Sequence, residues 1–393
     1  RGLSPADNAY CKSLLSRVPQ RLNSLNTGLS TLQFQSLSTS NFRTQKKGGS
    51  STATVQGGTQ DNGTFQYVGL TDLWPQIIYG DGGQSGFSSI TEARRFNTFF
   101  GQANDVNFRN GDPIYWCIAT GPIVSSPEGS QFYPPVISDP HTANGGTIFQ
   151  GSFSVWRTQD WAGNQAYLEA NCPEFFTSAA DPACGDFVRI GSPFTDLGDP
   201  GYGDRAGNAL CAIERNPSNT GTIWAATGTG RVFFSSNSNA NPPTAVVWER
   251  LDSSSTVDPG RFVSSIFPDP ANPNHAWISY SGYNFNTPTT PGHVFSVLRT
   301  GPSTATWTDI SFNIPDLPVT DLVSDDVTGD LYAASDFGVM RLLNGTTTWA
   351  VAGSGLPMVE VPGLTIVPTE RRLYAATHGR SAWLLQLPGG DIQ

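Results

Sequence analysis

One short phrase recurs along the chain: an apolar strand, a turn built on Asp-Pro or Asn-Pro, a second apolar strand, then a tight glycine turn. The clearest copies are Phe262–Phe295, Val319–Met340 and Val361–Trp383, with weaker ones at Ala209–Phe233 and Phe132–Trp156. Units that recur about every 40–60 residues and contain only strands point to a β-propeller. The expected fold is therefore all-β, a single propeller of about seven four-stranded blades. The repeat constrains architecture and leaves the chemistry open.

Composition agrees. Of 393 residues, 42 are Gly and 29 Pro, which suits a turn-dense chain, and 23 Phe, 11 Tyr and 10 Trp are enough to fill a core. The helix candidates are Ala6–Ser16 and a turn near Thr91–Phe96. A formal charge of −10, with no Lys/Arg stripe, argues against a nucleic-acid partner. No apolar run is long enough to span a bilayer, so a membrane-spanning segment is not expected. The chain opens at Arg1 in what reads as running sequence, as if an upstream segment had been removed or left out. Asn62 and Asn344 stand in Asn-Gly-Thr sequons that double as turn chemistry.

Five cysteines occur, none in a CxxC pair, so a zinc site is not expected. Cys172 and Cys184 flank the loop NCPEFFTSAADPACG, and a surface disulfide closing it is expected. With scarce Lys and a Ser/Thr/Asn-rich surface, this suits an extracellular, cell-surface or periplasmic setting.

In a blade, strands a to d run outward from the central channel. The first unit begins at Thr31, pauses in a polar insert Asn41–Ser50, resumes at Ala53–Gln56 and turns through Gly57–Thr64. The others are expected from Trp74, then at Phe132–Ile190, Ala209–Leu251, Phe262–Ile310, Val319–Val351 and Val361–Leu387. The last unit ends before an outer strand. Arg21–Leu29 resembles the outer strand of other units, so the ring is expected to close by pairing of N- and C-terminal strands, Arg21–Leu25 with Trp383–Leu387. Residues 1–18 then form an N-terminal extension and 19–393 the propeller.

The segment GGTQDNGT (57–64), Trp74, GDGG (80–83), the DPxNPN-type turns and the terminal LYAATHGRSAW together resemble secreted bacterial proteins of the BNR/Asp-box repeat superfamily. That grouping includes sialidases, xyloglucanase-type hydrolases and sortilin-like receptor domains. The Asp box S/T-x-D-x-G-x-T-W is eroded: RTQDWAGN (157–164) keeps one Asp and one Gly, while Leu298–Trp307 and Leu342–Trp349 keep only the Thr-Trp end. The resemblance implies that the box is a structural c–d turn whose Trp packs between blades, which assigns Trp248, Trp307 and Trp349 to the core. It does not select an activity.

Ligands of propellers usually meet the face shared by the b–c turns and d–a passages. That face is expected to gather Asp61, Asn62, Arg231, Tyr283, Asp336, His378 and Arg380, with Asp81 nearby. Such a ring could bind a polar ligand, yet Asn62-Gly63 is also what a hairpin turn demands. Asp61 and Asp81 could serve local hydrogen bonding or Ca²⁺, although EF-hand spacing is absent. No other cofactor, metal or catalytic residue is expected. A sialidase needs an arginine triad with a Tyr/Glu pair, and a two-carboxylate glycosidase needs facing acids; Asp61 with Asp81, or Asp81 with Asp336, are available, but no motif selects them. No Gly-x-Ser-x-Gly elbow occurs. The reading is a non-catalytic binding or scaffolding module for protein or carbohydrate, in a larger surface assembly. The alternative is a glycoside hydrolase using a carboxylate pair on that face.

Overall fold

The computed structural model describes residues 4–6, 9–10, 31–45, 51–67, 74–191, 197 and 208–388. Leu32–Gln393 form one compact unit and Arg1–Thr31 another. Among the described residues the first carries seven antiparallel sheets, six of four strands and one of three. Blade 1 comprises Phe34–Gln45, Ser51–Thr59, Gly63–Tyr67 and Gln76–Ile78; blade 2, Ser85–Phe87, Arg95–Thr98, Asn104–Asn107 and Trp116–Ile118. Blade 3 comprises Val136–Ser138, Ile148–Gly151, Val155–Thr158 and Val188–Arg189; blade 4, Leu210–Arg215, Ile223–Thr227, Val232–Ser235 and Glu249–Arg250. Blade 5 comprises Val263–Pro268, His275–Tyr280, Val294–Gly301 and Thr304–Asp309; blade 6, Val319–Ser324, Leu331–Ser335, Gly338–Leu342 and Trp349–Val351. Blade 7 has Gly363–Val367, Arg372–Ala376 and Ala382–Gln386.

The Asp-Pro/Asn-Pro signal marks the a–b turn. Asp139, Asn216, Asp269 and Asp325 each follow an inner strand, and each side chain accepts the backbone N–H two residues on, from His141, Ser218, Ala271 and Val327. The backbone N–H groups of Asp139, Asn216, Asp269 and Asp325 themselves donate to the Thr147, Thr222, His275 and Asp330 carbonyls and close the turn. This Asx turn supplies the reversal, and a Pro follows the Asp or Asn in three of the four, at Pro140, Pro217 and Pro270, where no N–H is needed.

A β-bulge recurs near the start of the inner strand, between Phe34 and Ser36, Leu210 and Ala212, Val263 and Ser265, and Val319 and Asp321. A bulge re-aims the extra residue. Three of them reach the next blade: Cys211 Sγ donates to the Val263 carbonyl at 2.9 Å, Ser264 Oγ to Val319 at 2.6 Å and Thr320 Oγ1 to Val361 at 2.6 Å. Thr365 Oγ1 joins blade 7 to the Leu37 carbonyl of blade 1 at 2.6 Å.

The apolar core lies between neighbouring sheets, as where Trp224 and Phe234 of blade 4 pack with Ile266, Tyr280 and Phe295 of blade 5. Strand-d tryptophans add a polar tie: Trp116 Nε1 donates to Ile77 O, Trp248 to Ile190 O and Trp349 to Ile310 O, each on the preceding blade. Trp248 and Trp349 therefore pack between blades as expected. Trp307 is part of the same kind of core, but its buried indole N–H meets no acceptor among the described residues.

Several boundaries differ from the sequence reading. Trp74 packs on Phe34 and Tyr67 and belongs to blade 1, whose outer strand follows it; blade 2 begins at Ser85. The short apolar run after Trp74 carries no period long enough to separate an outer strand from an inner one. The polar insert is largely strand: Phe34–Gln45 and Ser51–Thr59 pair beyond the core as a long hairpin, with residues 46–50 outside the described ones. The turn after it is narrower than Gly57–Thr64, because strand b runs on to Thr59. Arg95–Thr98 is a strand where a helical turn was a candidate, and Ala6–Ser16 lies mostly outside the described residues.

The expected closing strand, Arg21–Leu25, and the 18/19 domain boundary also lie outside the described residues. Among those residues Ala382–Gln386 has no strand on its outer edge. Beside that edge is an apolar groove lined by Val351, Leu356, Met358, Trp383 and Leu385. Trp307 precedes Val319, and Trp349 precedes Val361, by the interval that separates Leu22 from Phe34. Deleting residues 1–28, or Leu22→Asp alone, is expected to lower the melting temperature; an unchanged transition would refute closure by this segment.

Beneath the ring, the Arg371 guanidinium meets both oxygens of the buried Asp325 at 2.5 and 2.6 Å, joining blades 7 and 6. These bonds help hold the Asp325 carboxyl below its usual range against the opposing effect of burial. Arg371→Met strands that carboxylate and should cost about 3 kcal/mol at neutral pH by urea denaturation. The loss should shrink in acid, as Asp325 protonates.

Candidate functional site

Two surfaces can meet a ligand: the b–c/d–a face and the channel it surrounds. On the face, b–c turns and d–a passages are bonded together. Gly63 N–H donates to Gly80 O, Gly82 to Thr59 O, Val361 to Ser335 O and His378 to Glu360 O. Gly63 sits at φ +81°, and a Cβ there would lie 2.1 Å from the Ile78 carbonyl, so the Asn62-Gly63 pair answers a backbone need.

The structure divides the expected ring residues into groups. Asp81 Oδ1 accepts the Asp61 N–H at 3.1 Å, and Gln76 Nε2 donates to Asn62 O, so these three lie in one knot of turns between blades 1 and 2. At blades 6 and 7, His378 Nδ1 lies 2.8 Å from Glu360 Oε2. Burial, with Glu360's charge, raises the Asp336 carboxyl. Tyr283 is exposed beside Asn284, whose N–H donates to Asp316. Arg380 is exposed. Arg231 is a correction: its side chain is buried and donates to the Leu197 carbonyl at 2.9 Å. A cation in a hairpin reads as a surface residue in sequence, but here it is buried against the Leu197 carbonyl.

The sequence reading missed the aromatic side chains of this face. Phe100, Phe285 and Phe337 on b–c turns, and Phe132, Phe262 and Phe312 on d–a passages, are exposed, Phe285 by 86% and Phe100 by 60%. Phe100 stacks on Phe132 at 6.0 Å. Their signal was an apolar residue inside each turn, where hairpin chemistry does not require one.

The channel, about 760 Å³, is lined by all seven inner strands. Its wall is rich in hydroxyls and carries four acids: Asp139 and Asp326 at the a–b turns, and Glu214 of blade 4 and Asp321 of blade 6 within the inner strands. Asp321 accepts the N–H groups of Leu322 at 2.7 Å and Leu364 at 2.6 Å. Burial nevertheless pushes it up to about 6, and burial with Asp321's charge pushes Glu214 up to about 8. Neither acid stood out in the sequence, because strand position alone does not say that a side chain faces a channel.

Cys172 and Cys184 are disulfide-bonded, but both are buried rather than on the surface. The insert between strands c and d of blade 3 carries a helix, Gln165–Asn171, capped by Asn164 on Tyr167 N–H. It folds onto blade 2, where Ile118 N–H donates to Cys172 O and Gly121 N–H to Cys184 O.

No protein-family model matches the chain, and no curated protein sequence does. Solved structures match in fold. The extracellular domain of the hybrid two-component system BT4673 from B. thetaiotaomicron aligns at a TM-score of 0.51 with 16% identity, over 92% of this chain and 38% of that one. The Cps50 (Swd1) β-propeller domain from Myceliophteria thermophila aligns at 0.52 with 9% identity, over 85% of this chain and 93% of that one. The chain thus spans well under half of the bacterial structure's length. Identities this low establish the β-propeller and nothing finer.

Raised acids favour their protonated form, so Glu214 contributes most to stability below its unfolded value near 4.5, and that contribution is lost as pH climbs towards 8. Glu214→Gln should leave stability at pH 5 nearly unchanged and raise it at pH 9 by about 2 kcal/mol, less than the full shift because channel water screens the charge. Chemical denaturation at the two pH values measures this.

Proposed function

We propose that this chain is an extracellular, non-catalytic binding module of the BNR/Asp-box type, with eroded boxes, that contacts protein or glycan through its b–c/d–a face as part of a larger surface assembly. The observation that carries the reading is the set of exposed aromatic rings on that face. Large rings left in water are disfavoured unless a partner covers them, and aromatic side chains dominate contact energies at interfaces. Asp61, Asp81, Asp336 and Arg380 supply polar groups around them. The buried disulfide supports an oxidising compartment.

The Asp81 carboxylate is occupied in accepting the Asp61 backbone N–H and so in holding the turns together, which favours binding over chemistry at that pair. A Ca²⁺ ion there belongs to the same proposal only as a stabiliser of the turns.

The test is a panel of sialosides, β-glucans and other extracellular glycans, scored for binding and for turnover, with candidate surface proteins alongside. Binding without turnover is expected, weakened at least about tenfold by Phe285→Ala with Phe337→Ala. Turnover that disappears in Asp81→Asn or Asp61→Asn would replace this reading with a hydrolase.

A further inference from the structure

The cystine insert is held by a second, unusual contact. Asp105, in strand c of blade 2, is 1% exposed, and neither of its oxygens meets an N–H or O–H donor among the described residues. The Glu174 carboxyl, two residues past Cys172, lies within hydrogen-bond reach of it. Glu174 Oε2 is also buried without a donor, while Oε1 accepts the Tyr79 hydroxyl at 2.8 Å. Asn97 stands opposite Asp105 in the ladder, on the same face of the sheet, and its buried Nδ2 is likewise without an acceptor.

Glu174 is half-buried, but carboxylate oxygens that face each other out of water and without donors repel unless one holds a proton. We propose that Asp105 and Glu174 share a single proton and that this bond latches the cystine insert to blade 2 in a pH-dependent way. The insert displays Phe175 and Phe176, the latter 89% exposed, and Tyr79 stacks on Phe175 at 5.3 Å. The latch therefore sets how an aromatic projection is presented, whether or not the b–c/d–a face binds the proposed partners.

The surrounding groups do not neutralise the pair. Tyr79, from the passage after blade 1, is pushed up to about 12 by burial and by Glu174, so it stays a neutral donor. Cys117 on strand d is pushed up to about 12, mainly by burial, and stays a thiol. On the insert helix, Glu169 is engaged by Arg109 at 2.6 Å. Burial, then Glu174, holds Asp105 well above the usual carboxyl range. The latch is accordingly complete in acid and is lost as pH rises through the folded-state value, when the shared proton leaves and like charges face each other.

Asp105→Asn places a permanent N–H donor opposite Glu174. Melting temperature and deuterium uptake of residues 173–178, corrected for intrinsic exchange, are compared from about pH 4 to pH 9. The wild type should lose protection in this segment as pH rises. The variant should stay protected, and should melt about 2–4 °C higher than wild type at the alkaline end with no gain at the acid end. If Asp105→Asn does not fold, Glu174→Gln is read the same way, since its amide can donate to Asp105. Identical pH dependence in wild type and variant overturns the proposal. So does CaCl2 stabilising the wild type but not the variant, because a cation rather than a proton would then neutralise the pair.

Discussion

The structure depends on how each inner strand is tied to the next. Inner strands of different blades do not pair as a ladder, so their backbone groups need other partners where the blades crowd together. The recurring bulge supplies them. It turns one short polar side chain out of the strand's alternation and aims it at the neighbouring carbonyl. Cys211, Ser264 and Thr320 occupy the same register position in three consecutive blades and accomplish the same thing. Ser36 reaches the Gly83 carbonyl ahead of blade 2 from the next residue of its strand, and Ser138, at the far end of the inner strand of blade 3, reaches back to the Phe87 carbonyl of blade 2. Cys211 serves here as a small donor, and burial keeps its thiol protonated.

The two faces of the ring are built differently because their loops answer different demands. The a–b face is closed by Asx turns, and its charges are spent internally: Arg371 on Asp325, and Arg215 on Asp139 at 3.0 Å with both side chains fully buried. Partnered buried charges specify how neighbouring blades sit, since removing one member leaves the other stranded. The b–c/d–a face uses backbone bonds between turns and passages for the same purpose, which leaves many of its side chains free to point outward. Aromatic rings occupy several of those positions.

The channel and the cystine insert both carry acids in places that disfavour their charged forms. In the channel the penalty is moderated by backbone N–H donors to Asp321. At the insert, Asp105 meets no such donor, and a proton has to do that work. Both are consequences of filling a narrow space between sheets with short polar residues rather than with more apolar bulk.

The repeat, the strand content, the a–b turns and the packing of Trp248 and Trp349 were legible in the sequence, because each rests on a local rule: two-residue alternation, Asx geometry, or a bulky ring at a fixed place in the unit. The Cys172–Cys184 pairing was legible too, since the loop between them is short. What needed the tertiary structure was whatever depends on a neighbouring blade. Trp74 could not be assigned to blade 1 without Phe34 beside it. Arg231 could not be called buried without Leu197 beside it. The acids Glu214, Asp321 and Asp105 acquire their character only from the walls that surround them. A strand's own residues dictate that it is a strand; the surface it faces, and so the chemistry of its side chains, is set by chain far away in sequence.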